Sequence, residues 1–487
     1  MYLAGIDLGT TGCKSMVFDH NGAIAGSAYI EYDLMFTPRG VEQDGELWWN
    51  HTKDALREAV RAAGIDGREL AALGISSQGI ASVPVDGDGR PLAPAISWYD
   101  TRADGEAAEL AAFYGGQRLF EITGRHPGSL FFPQVLFIKR RQPELYEKTS
   151  YFLMAHDYLC FRLCGEALTD YTLASGTLCF DTARHEWIKE IFDHFGVDLS
   201  KFPRLKPFGE RAGRILPEVA RELGLAGDTV VAVGMQDQKA AALAAGIAPG
   251  IRTLSLGTAS AVSLLTGERI RDPSGRAPCH AFDGGSWILE NTVGASGAAL
   301  KWLRNTLFPG VPYPALDEMA ASSGAGAGGL VFYPGLDRGK GCFSGISLNT
   351  GAGDMVRAVQ EGVACAIRRC VETQRDVYPQ AETARELRVF GGGAASGLWR
   401  RILADCLRLP VAALKTPEMA NVGAAICAGM ALGLFASGEE RRRFAGGALE
   451  VTEPQETGAA IYDGVYAVYR ALQEAVLQKG NDQGLGG

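Results

Sequence analysis

The sequence predicts an α/β protein of two duplicated domains around a shared cleft. Its 487 residues exceed what one ordinary core fills, so two large domains are expected. Leu256-Gly257-Thr258 repeats Leu8-Gly9-Thr10, each time as strand, Gly-Thr turn, strand. Strand, turn and helix also follow one another at Val230–Gly246 and again at Leu387–Leu407. With 63 glycines a chance Gly-Thr match competes with duplication, and the shared strand pattern argues against chance. The domains expected are 1–245 and 246–487, with 480–487 as a disordered tail.

Composition narrows the function classes. The chain is 47% hydrophobic and 21% charged, ordinary for a globular protein. A net charge of -9 argues against nucleic acid as a main partner. The 10 cysteines form no metal-ligand pattern. Cys160 and Cys164 sit four apart on an expected helix without a His/Cys cluster. Free thiols in a reducing cytosol are the simplest account, so a cytoplasmic location is expected. The first residues read as a strand, not a signal peptide, and no window holds 18 uninterrupted apolar residues. No membrane partner is expected.

Residues 3 to 19 are the stretch around which the rest is organised. Tyr2 to Ile6 reads as a strand delivering Asp7 to the turn Gly9-Thr10-Thr11-Gly12, and Lys14 leads into a strand over Ser15 to Phe18. Such a turn offers N–H groups and hydroxyls to phosphate oxygens, and Lys14 adds positive charge. Asp7 supplies a hard oxygen suited to Mg²⁺, directly or through water. A surface hairpin with a glycine-containing loop is the competing reading.

The elements that follow are read by period and punctuation. Residues 46 to 64 form an amphipathic helix with Trp48, Thr52, Ala55, Leu56, Ala59 and Val60 on one face, stopped by Gly64. Leu73 to Ser76 is a strand running into Ser77-Gln78-Gly79, and Ser82 to Val85 is read as its continuation. Gln78 could present its amide to a polyol, against the alternative of a loop glutamine. Trp98, Asp100 and Arg102 alternate, so as a strand they would share one face and suit a hydroxylated ligand. An Asp–Arg surface pair explains them equally well.

Residues 151 to 164 are an apolar stretch containing Asp157, and Thr169-Asp170-Tyr171 with Ala174-Ser175-Gly176-Thr177 make a polar turn region. Val230 to Val233 is a strand ending in Gly234-Met235-Gln236-Asp237-Gln238, with an alanine-rich helix behind it. Asp237 sits where a helix begins, a place that stabilises a carboxylate and keeps a base ready. An ordinary N-cap aspartate is the competing reading. In the second half a helix is expected from Asp354 to Val377, then a strand over Leu387 to Phe390. The turn Gly391-Gly392-Gly393 opens onto a helix from Leu398 to Leu407, which suits a nucleotide against backbone. It is not the Gly-x-Gly-x-x-Gly fingerprint. Pro417 to Phe435 reads as a pair of Ala/Gly-rich helices.

Taken together these motifs resemble the FGGY carbohydrate kinases, with the duplicated actin-like (ribonuclease H-like) ATPase fold of the sugar kinase, Hsp70 and actin superfamily. The resemblance runs over nearly the whole chain. Asp7-Leu-Gly-Thr-Thr is similar to the family's first phosphate loop, and Ile96-Ser-Trp-Tyr-Asp-Thr-Arg102 to its substrate-side strand. Gly341-x-Phe-x-Gly-Ile346 followed by Asp354-Met-x-x-Ala-Val-x-Glu361 resembles the C-terminal signature, the most specific match. Gly391-Gly-Gly-Ala-x-Ser396 resembles the adenosine loop. Three places depart from the family. Gln134 and Phe137 stand where Lys and Trp are frequent. Gln78 precedes Gly79-Ile80, where xylulokinases tend to have Met-His and glycerol kinases Arg-Glu. The loop from Tyr333 to Lys340 is short.

The resemblance implies ATP and Mg²⁺ as cofactors and phosphoryl transfer to a hydroxyl of a small sugar. It implies Asp237 as the base and Asp7 as the metal residue. Gly9, Thr10, Thr11, Lys14, Gly257, Thr258, Gly392, Gly393 and Ser396 are implied for ATP. Gln78, Gly79, Trp98, Asp100, Arg102 and Gln238 are the sugar candidates. A ketopentose such as xylulose comes first, because the Thr169-Asp-Tyr and Ala174-Ser-Gly-Thr stretches look most like xylulokinases. Another ketose, a polyol or a sugar acid is the alternative. An ATP-driven switch like Hsp70 or actin is the alternative of a different class. The assembly is left open, with a homodimer as one possibility.

Overall fold

The computed structural model describes residues 1–482 except 415, 417, 436, 447 and 448. The chain forms two compact units. One comprises Met1–Gly246, Thr266–Leu289 and Glu418–Gly447, the other Ile247–Leu265, Glu290–Pro417 and Ala448–Gly487.

The first unit is built on β1 (Tyr2–Leu8), β2 (Gly12–Asp19), β3 (Ile24–Glu31), helix α1 (Gly45–Ala63), β4 (Leu70–Ser77), helices α2 (Ala155–Cys164) and α3 (Tyr171–Ala174), β5 (Arg211–Arg214), β6 (Val230–Ala232), β7 (Met235–Gln236) and helix α4 (Asp237–Ala244). The sheet order is β5-β6-β4-β1-β2-β3, with β7 also on β4. β1 is antiparallel to β2 and parallel to β4. β1 and β4 are covered on both faces, so they read as apolar runs without alternation. On one side α1 brings Trp48, Ala55, Leu56 and Ala59 into the core. Asp44 starts it by accepting the N–H groups of Glu46 and Leu47, and Gly64, at φ 67°, ends it.

On β1 and β4 lies the helix Met419–Ala431, and glycine makes its approach possible. A Cβ on Gly5 would stand 1.9 Å from the Asn421 carbonyl oxygen, and one on Gly74 1.8 Å from that of Ala424. On α4 the same helix presents Gly423, whose Cβ would lie 2.1 Å from the Ala240 oxygen. Backbone meets backbone at these three points, which explains why the helix is rich in Ala and Gly, while Met419, Val422 and Ile426 are its larger buried side chains. The expected helix pair is thus one helix, followed by a turn and then Gly438–Phe444, and Pro417 lies outside the described residues.

The second unit repeats the pattern. Its strand order is Trp287–Val293, Ser260–Thr266, Ile251–Leu256, Glu386–Phe390, Val411–Leu414, Leu449–Thr452. Ile251–Leu256 is antiparallel to Ser260–Thr266 and parallel to Glu386–Phe390, as β1 is to β2 and β4. The helix Ala352–Val377 buries Val356, Val359, Val363, Ile367 and Val371 in its core. The helix Glu456–Asp482 covers part of the tail expected to be disordered, and 483–487 lie outside the described residues.

Two expectations fail. Only Ala95–Ile96 of the stretch 95–102 is strand, so Trp98, Asp100 and Arg102 do not share a strand face. Alternation arose there by turns, in which Asp100 and Thr101 accept backbone N–H groups two and three residues on. Nor does Ser82–Val85 continue β4. The chain turns at Ile80, at φ 73°, and Val83–Val85 pairs with Tyr151–Leu153.

Candidate active site

Register places the first group of residues. Asp7 lies opposite Lys14 across β1 and β2 and beside Ser76 across β1 and β4. Ser76 donates its hydroxyl to Asp7 Oδ1 at 2.9 Å. Lys14 reaches Glu418, the residue before the helix Met419–Ala431, at 2.5 Å. Asn421 on that helix donates to the carbonyls of Gly5 and Lys14 at 3.0 and 2.9 Å, fixing the helix to the hairpin.

The turn between β1 and β2 holds its carbonyls from behind. The Gly9 oxygen accepts from the Tyr32 hydroxyl at 2.5 Å, that of Thr10 from Gln43 Nε2 at 3.0 Å, and that of Thr11 from the Tyr32 N–H at 3.0 Å. In a planar trans peptide C=O and N–H point oppositely, so the N–H groups of Thr10, Thr11 and Gly12 are turned away from these anchors. A cavity of about 310 Å³ lies at the turn, lined by Asp7, Gly9, Thr10, Thr11, Gly12, Lys14, Tyr29 and Glu418. Oriented amides beside a lysine are what an anionic phosphate needs.

The charge balance around Asp7 is negative. Burial, then the carboxylates of Asp237 and Glu418, push its carboxyl up to about 7, against the opposing pull of Ser76 and Lys14. Asp237 is the first residue of α4 and not its cap. Gln236 caps the helix, accepting the Lys239 N–H at 3.4 Å. Oδ1 of Asp237 accepts from the Gln238 N–H at 2.6 Å and from the side-chain amide of Gln236.

The sugar candidates separate into two groups. Gln78 is buried and its orientation is set by a chain of amides. Gln43 gives Nε2 to Thr10, so its Oε1 accepts Gln78 Nε2 at 3.0 Å. That leaves Gln78 Oε1 buried with no donor among the described residues, and Gln238 Oε1 is in the same condition. Gly79 lies beside Gln78 in the turn. Trp98 is 40% exposed, stacks on Tyr99 with ring centroids 3.7 Å apart, and points Nε1 at Thr10 Oγ1 at 3.3 Å. Asp100 and Arg102 are otherwise engaged. Arg102 binds both oxygens of Asp100 at 2.8 Å and Glu42 at 2.9 Å, and the Val41 N–H meets Asp100 at 2.6 Å. Burial opposes the Asp100 charge, yet these donors hold its carboxyl below the usual range.

The second unit treats its Gly-Thr turn in the same way. The Gly257 oxygen accepts the Gly297 N–H at 2.8 Å, and that of Thr258 accepts Ser296 and Ala298 at 3.0 Å, all at the start of the helix Gly297–Leu307. The glycine turn after Glu386–Phe390 is pressed on Leu256, since a Cβ on Gly393 would lie 2.6 Å from its Cγ, whereas Gly392 faces open space. Ser396 caps the helix Gly397–Leu407, accepting the Trp399 N–H at 3.0 Å.

Glu418, Gln43 and Tyr32 belong to the first site, and no sequence signal marked them. Each acts on a residue distant in the chain, and a lone Glu, Gln or Tyr has no spacing to betray it.

The N-terminal domain of the FGGY family of carbohydrate kinases matches residues 2–244, and its C-terminal domain matches 253–432. A xylulose kinase of Bacillus subtilis is 30% identical, covering 90% of each chain. One from Streptomyces rubiginosus is 31% identical, covering 93% of each. A solved xylulose kinase of Rhodospirillum rubrum superposes with a TM-score of 0.89 at 27% identity, over 98% of this chain and 99% of its own. Both Gly-Thr turns, Asp7, Asp237 and the triple glycine fall inside the matched ranges, and the chain belongs to the FGGY family of ATP-dependent carbohydrate kinases.

Proposed function

We propose that this kinase phosphorylates a ketopentose, xylulose first, with Asp237 as general base. The observation that carries the base is its place. Asp237 stands at the start of α4, near enough to Asp7 to raise its carboxyl, between Gln236 and Gln238. Two amide donors on Oδ1 fix the orientation of the carboxylate. Asp237 would take the hydroxyl proton as the oxygen attacks the γ-phosphorus in line.

The two unpaired amide oxygens, on Gln78 and Gln238, favour a ligand rich in O–H donors. A sugar acid would set a carboxylate against acceptors, so a neutral ketose or polyol fits better. Trp98 and Gly79 would border the sugar. Asp100 and Arg102 would instead hold the hairpin of residues 35–43 in place. Gly9, Thr10, Thr11, Lys14, Gly257 and Thr258 are proposed for the phosphates, and Gly392, Gly393 and Ser396 for adenosine.

Asp7 would hold Mg²⁺. Among the described residues no three His, Cys, Asp or Glu side chains form a metal cage. Asp7 raised to about 7 is a carboxylate wanting a cation. The ion supplies charge neutralisation on the phosphates. The described cysteines, Cys13 to Cys427, are free, which supports a cytoplasmic location, and no described helix is long and apolar enough to cross a membrane.

A panel of ketoses, polyols and sugar acids with phosphosugar detection by mass tests the substrate. Phosphorylation confined to sugar acids would overturn it. Asp237→Asn tests the base and should lower kcat about 10²- to 10⁴-fold with ATP binding unchanged. A folded Asp237→Asn protein within a few-fold of the parent rate would sink the assignment.

A further inference from the structure

The segment Gly234–Gln236 delivers Asp237 to α4, and its strand ladder is short. β7 pairs only Met235 and Gln236 with Ser76 and Ser77. A Cβ on Gly234 would stand 1.6 Å from the Ile75 oxygen, so the backbone is already pressed on β4.

Two side-chain relays supplement this ladder. In one, His156 Nε2 accepts the Gly234 N–H at 2.9 Å. That places the ring proton on Nδ1, which donates to Asp157 Oδ1 at 3.1 Å. Asp157 accepts the Met154 N–H on its other oxygen at 3.0 Å. In the other, Thr172 Oγ1 accepts the Gln236 N–H at 3.0 Å and donates to Asp170 Oδ1, also at 3.0 Å. Asp170 is held in turn by the N–H groups of Thr172 and Leu173, at 2.9 and 3.0 Å. His156, Asp157 and Asp170 have no exposed surface and Thr172 has 3%, so none can reach a substrate.

We infer that His156 and Thr172, backed by Asp157 and Asp170, are positioning residues for phosphoryl transfer, setting where Asp237 stands. This rests on Asp237 being the base. Buried backbone N–H groups are almost always paired. Without its hydroxyl partner, the Gln236 amide must shift to find another, carrying the neighbouring carboxylate with it. A misplacement near 1 Å can cost a reaction about 10²-fold.

The test uses the full-length enzyme with sugar and ATP. Thr172→Val keeps shape and removes the hydroxyl, and Thr172→Ser keeps the hydroxyl. The expected result is kcat down about 10- to 10²-fold for Thr172→Val, both KM values within about three-fold, and kcat largely restored in Thr172→Ser. Because the residue acts through Asp237, Thr172→Val should cost at most a few-fold when added to Asp237→Asn. An active Asp237→Asn enzyme would overturn the base and this inference together. An impaired Asp237→Asn with a folded Thr172→Val at parental kcat would overturn the inference alone. Equal losses in Thr172→Val and Thr172→Ser, or the full loss repeated in the Asp237→Asn background, would show a structural role only. Should Thr172→Val fail to fold, His156→Gln, which keeps an acceptor for Gly234, and His156→Leu are judged by the same criteria.

Discussion

Lys14 gives its ammonium to Glu418, at 2.5 Å, although its register partner across β1 and β2 is Asp7. Both side chains of the pair keep some solvent contact, 25% and 38%, so the pair is exchangeable and not a fixed bridge. A phosphate arriving at the turn competes with Glu418 for the lysine. Glu418→Gln should therefore lower the KM for ATP a few-fold. Lys14→Ala should lower kcat/KM about 10²-fold, by similar factors for every sugar. Steady-state kinetics across the panel decides, and a changed sugar preference with intact ATP use would remove Lys14 from the phosphate site.

Asp7 should leave a mark on stability against pH. Its carboxyl lies at about 7 in the folded protein, above the ordinary value near 3.9. Between those values the folded chain binds the proton and the unfolded chain does not. The group therefore favours folding as pH falls toward 4 and opposes it above 7. Asp7→Asn should raise the Tm of the ligand-free protein by a few degrees at pH 8 and by less at pH 5, while lowering kcat with all sugars. Thermal unfolding at both pH values checks it, and a Tm at pH 8 below the parent's would contradict the charge balance described.

Gln78 and Asp100 should part company. Gln78→Ala removes a buried acceptor that has no donor among the described residues, so the sugar KM should rise about ten-fold or more and the panel reorder. Asp100→Ala leaves Arg102 half-paired in a buried place, so the Tm should fall by several degrees. Unfolding and kinetics on the same preparations distinguish the two. A reordered panel in Asp100→Ala at unchanged Tm would return it to the sugar site.

Two glycine substitutions should give opposite failures. Gly392→Ala meets nothing within 4 Å, so the fold should tolerate it while the KM for ATP rises if adenosine lies there. Gly74→Ala drives a methyl to 1.8 Å from the Ala424 oxygen and should destabilise strongly or prevent folding. Circular dichroism and nucleotide binding report both, and a normal ATP KM in Gly392→Ala would move adenosine off this turn.

What the sequence disclosed was local. The Asp7 and Gly257 hairpins, α1, and the strand into Asp237 are carried by period, caps and glycine within a few residues. The amphipathic pattern of α1 spans one element, so it needs no knowledge of the rest. The turn at 97–102 misled because alternating Trp98, Asp100 and Arg102 mimic a strand, while the side-chain bonds that hold the turn in place run to the distant Val41 and Glu42. Glu418 beside Lys14, Gln43 behind Thr10, and Thr172 behind Gln236 were invisible for one reason. Each is a single polar side chain meeting a backbone or charge brought close only by the fold.

The glycines under the helix Met419–Ala431 bear on how the molecule is made. β1 and β4 leave the ribosome early, yet the helix that presses against Gly5 and Gly74 is encoded more than 300 residues after β4. At synthesis rates of about 5–20 residues per second, the wait is on the order of tens of seconds. Throughout it, one apolar face of the first sheet stands open to the cell. The nascent chain at that stage is a natural client for a holding chaperone, and its half-finished sheet is where aggregation would begin.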